Sequence, residues 1–227
     1  VYKNVYAFIT PSEFLKKKLS LNGFEEKRIH CIPTFTASKT TIGEQQIGSY
    51  GLYFGRVTEE KGVETVIKAY EKLPEYTVKI MGDDTTDEAK RLKKYVENHK
   101  MKNVEFLGFK SGEELENVIK GARFTLIPSI WYDNLPNTAL ESFQYSKPVI
   151  ASNIGSLPEL VIDGENGYLF KPSNVEDLIK KIKMLDDDTL VKKMGQASRK
   201  RLESRFAPQT HYEELMKIFN EAVKSRK

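Results

Sequence analysis

The sequence predicts an α/β chain built on a doubly wound parallel sheet. Three observations carry this: strands alternate with helices, the strands are short and apolar throughout, and glycines and polar residues gather just after the strands. A sheet covered by helices on both faces buries both sides of each strand, so apolar–polar alternation disappears.

The elements follow in order. An apolar strand runs from Val5 to Ile9, a helix opens at Pro11-Ser12 and closes near Gly23, and a second strand spans Arg28 to Ile32. Thr34 to Ser49 is polar and reads as a linker. Tyr50 to Phe54 is a strand, and Val63 to Leu73 a helix with Val63, Val66, Ile67 and Tyr70 at helical spacing. Tyr76 to Met81 is a strand, Asp87 to His99 a charged surface helix, and Val104 to Leu107 a strand. Ser111 and Glu114 form a capping box for a helix to Lys120. Strands Phe124 to Ile127 and Pro148 to Ala151 flank a helix from about Pro136 to Tyr145. Ser173 and Glu176 form a second capping box for a helix to Leu185, and two more helices follow, the last opening at Pro208.

Composition excludes several classes. The single cysteine, Cys31, rules out an internal disulfide and a zinc cluster, and His30, His99 and His211 lack metal-site spacing, so no metal or other cofactor is expected. No apolar run approaches the roughly 18 residues of a membrane span, and the opening residues do not read as a signal peptide. A cytoplasmic location is expected. The net charge of +4 is modest, and basic residues collect in the C-terminal third (Lys180, Lys181, Lys183, Lys192, Lys193, Arg199, Lys200, Arg201, Arg205). That cluster reads as a solvated helix face or, more sharply, as weak attraction to an anionic membrane surface or polyanion. Nothing interleaves basic and aromatic residues as a nucleic-acid module does.

Ligands of open parallel sheets bind beyond the carboxyl ends of the strands. The loops there are Gly55–Lys61, Gly82–Asp84, Gly108–Ser111, Pro128–Asn137 and Ser152–Ser156. In GRVTEEKG, Arg56 and Lys61, with the first amides of the helix that follows, suit a phosphate; the alternative is surface pairing with Glu59 and Glu60. In IPSIWYDNLPNTALES, Asp133 precedes a helix that carries Glu141, with Asn137, Glu141 and Tyr145 on one face. A carboxylate among apolar helix positions needs a partner or a hydroxylated ligand such as a ribose; the alternative is an exposed Glu on a capped helix. Asp133 and Glu141 also admit a paired-carboxylate hydrolase, a question of distance that spacing leaves open. Phosphate-loop, GxGxxG and nucleophile-elbow motifs are absent.

GRVTEEKG, the strand ending in Gly82-Asp83-Asp84, VEFLGF, and DNLPNTALESFQYSKPVIASNIGSLPELVIDGENGYLF together resemble the C-terminal domain of family 4 glycosyltransferases from about Tyr50 onward. The segment ending in RIHCIP resembles the end of that family's N-terminal domain. The resemblance implies the Rossmann-like C-terminal half of a GT-B fold, retaining sugar transfer without a metal, and this division: 1–33 the tail of an acceptor domain, 34–49 linker, 50–207 nucleotide-sugar domain, 208–227 a helix packing on the absent domain. Its apolar stripe (Tyr212, Leu215, Met216, Phe219) would then be exposed here. By position, Arg56 and Lys61 match the pair that neutralises the diphosphate, Glu141 the acid that holds the ribose, and Asp133 the acid near the transferred sugar, where glutamate is usual. Asn134, Leu135, Pro136 and Asn137 fall where backbone approaches sugar and phosphate; Phe109 and Lys110 meet the base, with Gly82 on the neighbouring loop. The implied partners are a UDP-, GDP- or ADP-linked sugar and a glycan or lipid-linked acceptor, with peripheral attachment to the inner face of the membrane. Thr34-Phe35 replaces the family's usual Asn-Gly. A non-catalytic nucleotide-sugar module and a GT-B-fold epimerase are the competing readings.

Overall fold

The computed structural model describes residues 4–36 and 46–225. Residues 37–45 of the expected linker lie outside the described residues.

Two short strands, β1 (Phe8–Thr10) and β2 (Ile29–Cys31), pair in parallel with α1 (Glu13–Leu21) as their crossover. Ser12 caps α1 by accepting a hydrogen bond from the Leu15 amide, and the left-handed Gly23 follows its end.

The main sheet holds β3 (Tyr50–Phe54), β4 (Thr77–Met81), β5 (Val104–Gly108), β6 (Ala122–Ile127), β7 (Val149–Ser152) and β8 (Gly167–Phe170). All are parallel in the order β5-β4-β3-β6-β7-β8. The chain winds outward from β3 to one edge, returns, and winds outward from β6 to the other. The topological switch point therefore lies between β3 and β6.

Successive strand residues point to opposite faces, and both faces are packed. Tyr53 and Ile150 enter a core with Val66, Ile67 and Tyr70 of α2 (Val63–Glu71), Leu92 of α3 (Asp87–Asn98) and Ile182 of α7 (Val175–Lys183). Leu52 and Phe54 turn the other way, toward Ile119 of α4 (Gly112–Lys120) and Tyr145. Val149 and Ala151 meet Leu140 and Phe143 of α5 (Asn137–Gln144), Leu157 and Leu160 of α6 (Leu157–Leu160), and Leu202 of α8 (Asp188–Arg205). This is the two-sided burial that the continuous apolar strands predict.

Local details correct the sequence reading. Neither capping box forms: Ser111 precedes α4 without a side-chain cap, and α7 is capped instead by Asn174, whose side chain accepts from the Asp177 amide, while Ser173 is left-handed. Strand β8 and helix α6 have no counterpart in the sequence reading. Pro208 opens α9 (Pro208–Lys224) as expected. Helix α9 packs on the segment that follows β2, with His211 against the Pro33 carbonyl and the Phe35 ring, and it leaves Tyr212 and Phe219 exposed. Lys147, buried at 1% exposure, donates to the carbonyls of Gln46, Lys120 and Ala122, fixing the chain just ahead of β3 to the base of β6. No helix among the described residues is long and apolar enough to cross a membrane.

Candidate functional site

A cleft of about 250 Å³ opens where the loops after β3 and β6 diverge, at the switch point. Its walls include Gly55, Arg56, Lys61, Ser129, Asp133, Asn137, Thr138 and Glu141.

The β3 side begins with Gly55, whose φ of 144° only glycine adopts readily. A Cβ on Gly82 would lie 1.9 Å from the Gly55 carbonyl oxygen. Gly82 is thus needed for close backbone approach beneath the loop, and it is not among the cleft's lining residues. Tyr53 donates its hydroxyl to the Arg56 carbonyl at 2.5 Å and braces the turn from the core side. Arg56 is mostly exposed, with Glu60 at 3.9 Å. Lys61 ends the 3-10 turn Glu59–Lys61 and forms an ion pair with Asp133 at 2.5 Å, the two side chains 19% and 13% exposed. The surface alternative therefore describes Arg56 and fails for Lys61.

Expected help from the helix after this loop is not what lines the cleft. The turn spends its own amides locally, Lys61 on Thr58 and Gly62 on Glu59. The helix end at the cleft belongs to α5. Pro136 sits at its N-cap, where proline offers no capping oxygen, so the first amides, on Asn137 and Thr138, sit in the cleft wall with the positive end of the helix dipole.

The β6 loop is tightly held. Buried Ser129 donates to the second carboxylate oxygen of Asp133. Ser156, fully buried, donates to the Asp133 carbonyl at 2.7 Å and accepts from the Leu135 amide at 2.7 Å. Leu135 occupies left-handed space (φ 56°), a strained conformation for a branched side chain, with its side chain in the core. Gly155 lets this loop pass: a Cβ there would sit 3.0 Å from the Asp133 carbonyl. Asn134 turns from the cleft and accepts from Ser12 at 2.7 Å.

Glu141 lies one turn into α5 with its carboxyl in the cleft, and burial pushes its pKa above the ordinary carboxylate range. No protein group among the described residues pairs with it, so it is a part-buried carboxyl and not the exposed surface Glu of the alternative reading. Tyr145, expected on the same face, packs instead into the core beside Ile119. Phe109 and Lys110 follow β5, away from the cleft, with Phe109 74% exposed and Lys110 3.4 Å from Glu114. Of the sequence-derived residues, the cleft thus gathers Arg56, Lys61, Asp133, Pro136, Asn137 and Glu141. Sequence reasoning missed Tyr53, Ser129, Thr138 and Ser156; all but Tyr53 lie in loops or motifs it had singled out.

Chemically, two cations and a helix terminus favour a diphosphate, and an unpaired carboxylate beside them favours vicinal hydroxyls. A paired-carboxylate hydrolase fits poorly, since Asp133 is already held by Lys61 and Ser129.

Comparison with known proteins bears on this arrangement. The sequence model of the family described as "Glycosyl transferases group 1" matches residues 41–201. An uncharacterized glycosyltransferase of Methanocaldococcus jannaschii is 32% identical over 149 residues, 65% of this chain and 41% of that protein. A glycogen synthase of Mycobacterium tuberculosis is 31% identical over 186 residues, 78% of this chain and 42% of that protein. The chain thus spans well under half the length of these relatives. Among solved structures, a glycosyltransferase from Rickettsia africae superposes with a TM-score of 0.89 at 21% identity, covering 98% of this chain and 66% of that one. Anabaena HepE in complex with UDP and glucose superposes at 0.83 with 19% identity, covering 95% and 63%. These structures share the α/β fold described above.

Proposed function

We propose, since this chain belongs to the glycosyl transferases group 1 family, that it forms the donor-binding half of a retaining enzyme. That enzyme moves a sugar from a nucleotide-diphosphate sugar to a glycan or lipid-linked acceptor on the cytoplasmic side of the membrane. The observation that carries the reading is the convergence of Lys61, Arg56, the α5 amides and Glu141 on one cleft at the switch point. Support for a uridine donor comes from HepE, solved with UDP and glucose.

Breaking the sugar–phosphate bond builds negative charge on the departing diphosphate and positive charge at the anomeric carbon. Lys61, Arg56 and the Asn137 and Thr138 amides meet the first, with Lys61 and the helix terminus in place before the reaction begins. Glu141 accepts from the ribose hydroxyls, and Asp133 stands on the sugar side. No protein nucleophile is assigned, which suits departure and attack on the same face of the sugar. Two cations, Lys61 and Arg56, neutralise the diphosphate in our scheme, so it needs no metal. Phe109 and Lys110 are assigned to the base, along the same carboxyl edge of the sheet.

Calorimetric titration with UDP, GDP, ADP and their common sugars tests this. One diphosphate should bind with unchanged affinity in EDTA, and Lys61→Ala should weaken it. Binding of none of them, or binding that Lys61→Ala leaves intact, would sink the donor-site reading. With the longer enzyme, the anomeric configuration of the product decides retention.

A further inference from the structure

We propose that Glu159 is a positioning residue of the donor site, which seats α1 on both neighbours of Asp133 and so fixes that acid for the sugar. The inference rests on the donor-site reading above, in which Asp133 stands on the sugar side. An α-helix opens with amides at its first three positions that its own carbonyls leave unmet. In α1 these belong to Glu13, Phe14 and Leu15. The Ser12 hydroxyl meets the last at 3.2 Å. The other two go to a carboxylate 146 and 145 positions away: one oxygen of Glu159 accepts from Glu13 at 2.8 Å, the other from Phe14 at 2.7 Å. A carboxylate there also meets the positive end of the helix dipole. Glu159 is itself held from behind, its carbonyl accepting from Arg201 of α8.

This clamp closes on the loop that carries Asp133. Helix α6, the source of Glu159, starts directly after Ser156, which holds the Asp133 carbonyl and the Leu135 amide. Helix α1 also touches the loop itself, on either side of the acid. Before it, the Tyr132 ring lies 5.1 Å from that of Phe14, with the Lys18 ammonium 5.1 Å from the Tyr132 centroid. After it, Asn134 accepts from Ser12 at 2.7 Å. Ser12 is fully buried in this seam, although no residue of α1 proper is buried.

The diphosphate half of the cleft is independent of these ties. Among the described residues no hydrogen bond or ion pair links α1 to Arg56, Lys61 or Glu141. Loosening the clamp therefore acts on the acid loop and leaves the phosphate-binding groups in place. The cost should fall on a ligand that carries a sugar and spare the free nucleoside diphosphate. That selectivity separates positioning from a general loss of stability, which would weaken both. Linkage makes the effect reciprocal: a sugar-linked nucleotide must steady α1 by the same factor by which seated α1 favours that ligand.

The test titrates the chain calorimetrically with UDP, GDP and ADP, each free and linked to its common sugars, and follows hydrogen exchange at the Glu13 and Phe14 amides. Glu159→Ala should weaken the nucleotide sugar about tenfold, in the usual range for coupled sites, and the free diphosphate by less than about twofold. In wild type the sugar-linked ligand should slow exchange at the two amides more than the free diphosphate does. Glu159→Gln keeps one accepting oxygen and should fall between wild type and Glu159→Ala; if the alanine variant does not fold, the glutamine variant decides by the same ratio of affinities. Asn103→Ala is the stability control. Its side chain donates to the carbonyls of Tyr70, Leu73 and Tyr76, none of them on α1 or the acid loop. That variant should lower the melting temperature and leave the ratio unchanged. A wild-type ratio in Glu159→Ala overturns the proposal, whether both ligands keep their affinity or both weaken together, and so does an equal change of ratio in Asn103→Ala. A wild-type chain that binds no nucleotide sinks the donor-site reading itself, and this inference with it.

Discussion

Asp133 and a bound diphosphate compete for one ammonium group, which makes Asp133→Asn an informative perturbation. Lys61 lies 2.5 Å from the Asp133 carboxylate with both side chains largely covered. A phosphoryl oxygen held by the same ammonium at roughly 2.8 Å would approach that carboxylate to roughly 5 Å. Two unit charges at that separation repel by roughly 1–3 kcal/mol for effective dielectrics of 80 down to 20. Neutralising Asp133 removes this repulsion and costs part of the anchoring of Lys61, about 0.5–1.5 kcal/mol. The net expectation is a gain of about 1 kcal/mol, or about fivefold tighter UDP binding. Lys61→Ala moves the other way. It loses charge-assisted hydrogen bonds worth about 1.5–3 kcal/mol and leaves Asp133 facing the phosphate unshielded, so affinity should fall about a hundredfold. The double variant should bind more tightly than Lys61→Ala and more weakly than wild type. Calorimetric titration of UDP into all four proteins completes the cycle. If Asp133→Asn binds UDP more weakly than wild type, Asp133 orients Lys61 for the phosphate, and the competition argument is wrong.

Further expectations concern the residues around this pair. Burial raises the Glu141 pKa, so the ligand-free fold favours the protonated carboxyl and loses stability as pH rises through that raised value. Glu141→Gln should abolish this slope and raise the melting temperature of the ligand-free protein near neutral pH, while weakening UDP about tenfold or more; equal melting curves across the acid range would refute the assignment. Ser156→Ala strands the buried Leu135 amide and leaves the Asp133 carbonyl with only the Ser156 backbone amide at 3.3 Å. It should destabilise by about 2–3 kcal/mol in urea titration and weaken nucleotide binding together with stability. Burial pushes Lys147 down to about 8 from its ordinary 10.5. The unfolded chain therefore binds the extra proton between those values, and stability should rise with pH across that window in urea titrations. Lys147→Met should flatten that rise and cost about 3–5 kcal/mol near neutral pH, because three carbonyls lose their donor.

The legible parts of this chain are those with repetition. Runs rich in apolar residues, such as Tyr50–Phe54 and the stretch from Phe124 to Ile127, signal buried parallel strands because they lack a regular polar face, and the helical spacing of Val63, Val66, Ile67 and Tyr70 survives intact in α2. Strand order is not written locally, yet the loops it selects were identifiable from the general rule for open sheets. What could not be read is contact between distant positions. Lys61 and Asp133 are 72 residues apart, and nothing in either loop announces their pairing. Ser156 grips the β6 loop from 21 and 23 residues downstream. The two capping boxes show the converse limit: the motif is present in sequence, but Ser111 at the N-cap of α4 makes no side-chain cap, and left-handed Ser173 leaves the capping of α7 to Asn174.

The aspartate at position 133 gains a physical meaning from these contacts. Its carboxylate is gripped from one side by Lys61 and from the other by buried Ser129, so both oxygens are engaged within the loop that carries it. A glutamate there would extend one methylene further and could not keep both contacts without moving the backbone. That backbone is fixed by Ser156, by the left-handed Leu135 and by the close passage of Gly155. The shorter acid therefore belongs to a loop that stores its charge against Lys61 until an anion arrives. In the proposed donor site, a diphosphate would compete with the carboxylate for Lys61, and an oxygen so released would be free to face the sugar. Ligand entry and assembly of the sugar side of the site would then be one event, driven by competition of two anions for a single ammonium group.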